Sequence, residues 1–184
     1  MTVTVTPETF VMVLFDHDAI VAVAERVAAQ VGLPPDLDIR IGVDEAIPLA
    51  RVHIESIDPV VINVEGGAFE DPRHPRQLGE ELVADTLGRL FFQVLDRRSP
   101  SFGDPGDDND QDLSHKVAWD TYAVGRLQRL GYDGRHQVRL YAFRNRHGFS
   151  DTSDEAFNRL WTGEDLTWDE ITQISDDAVA LRTV

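Results

Sequence analysis

The stretch that most constrains this chain runs from Leu78 to Leu95. Leu78, Leu82, Val83, Leu87, Leu90, Phe91, Val94 and Leu95 recur at helical spacing and make a wide apolar stripe. The spacing predicts a helix from Pro75 to Asp96, with Asp85 and Arg89 paired four apart on the opposite, wet face. So broad a stripe is not stable in water alone and calls for a second layer to cover it.

The residues before it supply that layer. Ile39, Ile41 and Val43 alternate with Arg40, Gly42 and Asp44, the period-two pattern of a strand with one wet face. Val52 and Ile54 repeat the pattern against Arg51, His53 and Glu55, and Val60-Val-Ile-Asn-Val64 follows the turn at Asp58-Pro59 as a more apolar, central strand. Phe10-Val-Met-Val-Leu-Phe15, β-branched and aromatic, reads as a buried strand that stops at Asp16. Ile20, Val23, Val27 and Val31 predict a helix over Asp18 to Val31, stopped by Gly32, which lies between two strands and is placed to be a crossover.

Beyond the long helix, Ser99 to Asp112 holds Pro100, Gly103, Pro105, Gly106 and five aspartates, a composition expected of a mobile acidic loop. Ser114 is placed to cap a helix carrying Val117, Ala118, Tyr122, Leu127 and Leu130, and a strand is expected from His136 to Phe143. Two capping boxes, Thr152-Ser-Asp-Glu155 and Thr167-Trp-Asp-Glu170, open a helical pair over residues 151–182. The expectation is an α+β fold: a mixed or antiparallel sheet of about four strands against a long central helix, with a helical C-terminal region. At 184 residues the chain suits a single domain.

With 33 acidic against 17 basic residues the net charge is −16, which disfavours nucleic acid and anionic membrane and steers a basic protein partner. The absence of cysteine removes disulfides, thiolate nucleophiles and cysteine-ligated metals, and with no export signal in view it points to the cytoplasm. No cofactor motif stands in the sequence: no Walker loop, no Gly-x-Gly-x-x-Gly and no Gly-x-Ser-x-Gly turn.

Three constellations carry chemistry. Arg135 to His147 holds four arginines and no acid, and on a strand Arg139, Arg144 and Arg146 are candidates for an anion site, the plainer reading being pairing with neighbouring carboxylates. His53 and Glu55, two apart on one strand face, are candidates for an acid–base pair or for ordinary cross-strand ion pairing. Asp108, Asp110 and Asp112 have the one-three-five spacing of a calcium loop, but Leu113 and Trp119 stand where a glycine and a bidentate carboxylate are required, so no metal site is assigned. No two histidines lie three to five apart as zinc ligands on a helix would.

The order helix, strand, strand, acidic loop, long helix from Asp18 to Asp96 resembles the layout of minimal zinc peptidases. Gly79-Glu-Glu-Leu-Val-Ala-Asp85 stands where that layout has His-Glu-x-x-His, so the resemblance implies a chain in which the metal chemistry is lost. The leading expectation is therefore a non-catalytic interaction or regulatory domain, with Trp161 and Trp168 as partner anchors. A homodimer through a sheet edge or the C-terminal helices is compatible with the same pattern. The alternative is a small-molecule enzyme or anion-binding protein built on the arginine-rich segment.

Overall fold

Thr2-Val-Thr-Val-Thr6 alternates β-branched residues without interruption, and in the computed structural model, which describes residues 1–108 and 110–180, it is the first strand, β1 (Thr2–Thr6). The chain divides into two compact units, Met1–Val94 and Leu95–Val184. The first contains β1, α1 (His17–Val31), β2 (Asp38–Asp44), β3 (Val52–Ile57), β4 (Val60–Glu65) and most of α2 (Glu80–Arg98).

Its sheet is mixed and four-stranded, in the order β1-β2-β4-β3. β1 and β4 both run parallel to β2, and β3 runs antiparallel to β4 at the edge. Because β1 and β2 are parallel neighbours, α1 is the crossover between them. The register aligns Val5, Ile41, Ile62 and Ile54 in one row across all four strands, and all four are buried. The alternating row Thr6, Gly42, Asn63 and His53 belongs to the opposite face, which is partly or fully open to solvent.

Helix ends follow local chemistry. Asp16 caps α1 by accepting from the Ala19 amide at 3.1 Å, and Gly32 ends it in the left-handed region at φ 89°. α2 starts at Glu80 instead of Pro75, because Asp71 to Gln77 is knotted into turns through His74 and Gln77 amides. Its Asp85 and Arg89 do not lie on a wet face: both are buried, as are Gln93 and Asp96 on the same helical side.

The apolar run Phe10 to Phe15 is not a strand. Only Phe15 is buried, and the segment forms a single parallel bridge between Leu14 and Gln77. A continuous apolar run lacks the alternation that marks a strand with one wet face, whereas Thr2 to Thr6 has it.

The second unit is helical: the end of α2, then α3 (Leu113–Arg129), α4 (His136–His147), α5 (Asp151–Thr162) and α6 (Trp168–Ala180). Its core gathers Phe102, Trp119, Tyr122, Phe143, Phe157, Leu160, Trp161, Ile171 and Ile174. Phe102 stacks on Trp119 at 5.5 Å and Trp168 meets Trp119 edge-on at 5.4 Å, pairs that each add about 0.5–1.5 kcal/mol beyond simple burial. Phe102 thus seats the start of the aspartate-rich loop in the core.

α4 corrects the strand expected over His136 to Phe143. Val138 and Leu140 imitate alternation, but the inward residues are Leu140, Phe143 and His147, at helical spacing. Capping also shifts: Asp112, not Ser114, caps α3, and Ser150, not Thr152, caps α5 through the Ser153 amide at 3.2 Å. The box at Thr167 forms as expected, with Glu170 accepting from the Thr167 amide at 2.9 Å and donating its own amide to the Thr167 hydroxyl at 3.3 Å. Among the described residues no helix is long and apolar enough to cross a membrane.

Candidate functional site

On the open sheet face His53 and Glu55 do not bond to one another. The Asn63 side-chain amide stands between them, donating to a Glu55 oxygen at 2.7 Å and lying 3.2 Å from His53 Nε2. A β-bulge between Ile54 and Ser56 separates their registers. Gly42 leaves room for this bridge, since a Cβ there would come to 3.2 Å from Asn63 Oδ1. The pair is a cross-strand polar network on a wet face, with the imidazole facing an amide instead of a carboxylate.

The three arginines do not converge. In a helix Arg139 and Arg146 fall on one flank and Arg144 on another, because five residues advance the chain by about 140° and seven by about −20°. Arg144 grips Asp154 of α5 with two bonds, its Nε at 2.7 Å from Oδ1. That pairing raises the guanidinium pKa and lowers that of the Asp154 carboxyl, each chiefly through the shared hydrogen bonds.

His147 is fully buried. Its Nδ1 meets the Phe143 carbonyl at 3.1 Å, its Nε2 meets the Ser175 hydroxyl at 2.8 Å, and its ring stacks on Phe143 at 3.8 Å. The carbonyl can only accept a hydrogen bond, so the neutral ring carries its hydrogen on Nδ1 and Ser175 donates to Nε2. This is the contact pattern of a nucleophile and its base, but both groups are wholly buried and neither reaches solvent. Desolvation lowers the imidazole pKa and holds it neutral, the state this network needs. The hydroxyls nearest His147 in sequence are those of Ser150, Thr152 and Ser153, yet the one that bonds the ring is that of Ser175 on α6, 28 positions away.

A buried ionic site of the second unit escaped sequence reading. Asp96 accepts from Trp119 Nε1 at 2.7 Å and from both terminal nitrogens of Arg126 at 2.8 and 2.6 Å. Arg126 also lies 4.1 Å over the Tyr122 ring, Arg97 lies 4.5 Å over the Trp119 ring, and Arg97 pairs with Asp108. Residues 30 apart meet here, and no local spacing announces them. Asp108 is thereby engaged with a guanidinium and Asp112 with the α3 terminus, which occupies two of the three carboxylates of the calcium-like spacing. Among the described residues no group of three or more metal-ligating side chains is assembled.

Of the two tryptophans named as partner anchors, Trp161 belongs to the core and Trp168 is partly buried against it. Trp161 is 6% exposed, with its indole nitrogen donating to Gln128 Oε1 at 2.9 Å, and Trp168 packs among Phe102, His115 and Trp119. A Trp on a capped amphipathic helix packs inward as readily as outward, so the choice lay with the neighbours.

The apolar side chains left in solvent are elsewhere. In the first unit Val11 and Leu14 are 82% and 75% exposed, and Met12 is exposed beside them. Their backbone is pinned underneath: the Val11 and Met12 amides both donate to Glu45 Oε2, at 2.8 and 2.6 Å, and the Leu14 amide donates to the Arg76 carbonyl at 2.7 Å. In the second unit Tyr141 and Phe149 are 61% and 65% exposed, beside an exposed Val138. Comparison of the chain with protein-family models, with curated proteins and with solved structures finds no match in any of the three.

Proposed function

We infer that this protein is a non-catalytic interaction domain, and that the Val11–Leu14 segment is its contact surface for another protein. The observation that carries the reading is the division of labour in that segment. Its amides are satisfied by Glu45 and Arg76, while Val11, Met12 and Leu14 stand in water with no core to cover them. Scattered exposed apolar residues are ordinary, but a contiguous, backbone-anchored group is the usual mark of a contact surface.

Charge sets the kind of partner. Met1 to Val94 contains 16 acidic and 6 basic residues, a net of −10, and Glu8, Asp16, Asp18 and Glu45 are among them. A protein presenting an apolar patch rimmed by lysine or arginine is steered to such a surface and docks its apolar centre on Val11 and Leu14.

Affinity purification from native cells, at low salt, tests the reading with a Val11→Ser/Leu14→Ser variant alongside the wild type. The expected result is a stoichiometric partner, identified by mass spectrometry, that the variant loses and that salt releases. A partner retained equally by the variant, or none at all, overturns it.

A further inference from the structure

The Val11–Leu14 surface belongs to the excursion of residues 7–16 between β1 and α1, and one side chain joins the two ends of that excursion. His17, the first residue of α1, sets its Nε2 3.2 Å from the Val5 carbonyl, 12 positions back near the end of β1. Its Nδ1 stands 3.0 Å from Asp18 Oδ1. The other ties of the excursion lie further along, where the Val11 and Met12 amides donate to Glu45 and the Leu14 amide to the Arg76 carbonyl.

Both partners of the ring are acceptors. A carboxylate and a carbonyl have no hydrogen to give, so each contact is a hydrogen bond only if the facing ring nitrogen carries one. The imidazolium carries two and serves both oxygens. Either neutral tautomer carries one and turns a lone pair toward the other oxygen, so the arrangement is complete only in the charged ring.

Of the two acceptors, Asp18 bears the charge, and a charge-assisted bond is roughly twice as strong as a neutral one. A ring left with a single hydrogen keeps it on Nδ1 for Asp18 and lets Val5 go. The surroundings favour the charged ring: the bond to Asp18 raises the imidazole pKa above its ordinary value of about 6.5, burial opposes this, and the Val5 carbonyl and the charges of Asp18 and Glu8 raise it further. β1 is threonine and valine throughout and brings no titratable side chain, and Asp16 is turned to the Ala19 amide as the cap of α1.

We propose that His17 is a proton-operated clasp at the root of the Val11–Leu14 surface: the charged ring ties the start of α1 to the end of β1, and the neutral ring releases Val5. Its part in binding rests on the reading of Val11 to Leu14 as a contact surface. Because His17 gains its second partner as a cation, the tie is fully made at acidic pH and is lost as pH rises through the raised pKa. A tied excursion has less freedom left to lose on docking, so the partner binds more weakly in mildly alkaline than in mildly acidic solution.

The test is NMR of the ¹⁵N-labelled full chain with no partner added. Imidazole nitrogen shifts report the protonation and tautomer of His17. Solvent exchange of the Val11, Met12 and Leu14 amides, each divided by its intrinsic rate at the same pH, reports how firmly the excursion is held. From about pH 5.5 to about pH 8.5 the ring is expected to pass from doubly protonated to the Nδ1–H tautomer with a pKa above about 6.5, and the normalised exchange to rise several-fold along the same curve. His17→Gln, which does not titrate, flattens the rise. Asp18→Asn removes the charge that holds the proton, leaves the Asp16 cap untouched, and moves both curves to lower pH together. Normalised exchange that ignores pH, a rise that persists in His17→Gln, or a neutral ring that keeps its hydrogen on Nε2 for Val5 overturns the proposal. No partner enters these readouts, so their failure leaves the contact surface standing, whereas failure of the affinity purification overturns that surface and not the titration of the clasp.

Discussion

Replacing Asp96 with alanine removes the acceptor that Trp119 and Arg126 share. The two ionic side chains are 7% and 17% exposed, so water replaces little of what is lost. Deleting one partner of a buried pair costs about 3–5 kcal/mol, and Arg126's residual contact with solvent places this case near the low end, about 3 kcal/mol. The Trp119 indole loses its carboxylate acceptor in the same step, a loss that overlaps the first instead of adding to it.

All three tryptophans, Trp119, Trp161 and Trp168, belong to the second unit, so their emission follows that unit alone during urea unfolding. With a urea slope of about 1.5 kcal/mol/M, a loss of about 3 kcal/mol moves the midpoint down by roughly 2 M. Asp154→Ala is the internal control. It breaks the Arg144 pair, whose side chains are 32% and 33% exposed, and solvent screening limits its cost to under about 1 kcal/mol. A midpoint shift for Asp96→Ala no larger than that of Asp154→Ala refutes the assignment of Asp96 as the unit's buried electrostatic anchor.

Two further outcomes follow from the same packing. A Cβ on Gly125 of α3 would fall inside the Trp161 carbonyl at the end of α5, so Gly125→Ala forces the two helices apart and costs about 3 kcal/mol by the same urea assay; an unchanged midpoint counts against the close approach. His147 has its pKa lowered by burial, so below about pH 6.5 the unfolded chain takes up a proton that the folded one refuses, and the second unit loses stability as the pH falls. His147→Gln, which keeps a donor and an acceptor but does not titrate, flattens that acid slope between pH 6.5 and 5, and equal slopes in both proteins contradict the assignment.

Period-two and period-3.6 patterning is a local property, and where it was clean the sequence was sufficient. The strands around Ile41, Ile54 and Ile62, the crossover helix up to Gly32 and the C-terminal helical pair as far as Ala180 stand where the pattern places them, residues 181 and 182 of that pair lying outside the described residues. Reading failed where an element keeps only part of its pattern. α4 buries Phe143 and His147 fully and little else, so its helical stripe is too short to outweigh the apparent alternation of Val138 and Leu140. The i, i+4 pair of Phe143 and His147 was the signal available against a strand.

Charged and aromatic residues were the least legible. An arginine reads alike whether it meets a carboxylate, lies over a ring or stands in solvent, and here Arg144 meets Asp154, Arg126 both meets Asp96 and lies over Tyr122, and Arg135 is exposed. What the chain alone determined is its class and its chemistry in bulk: an α+β fold, an acidic balance and no thiol, since these depend on composition and on neighbours a few residues away. Which apolar groups are buried and which remain outside was decided only in three dimensions. Trp161 found Gln128 and Phe157, whereas Val11 and Tyr141 found no cover in their own unit, because burial is a property of residues distant in sequence that meet in space.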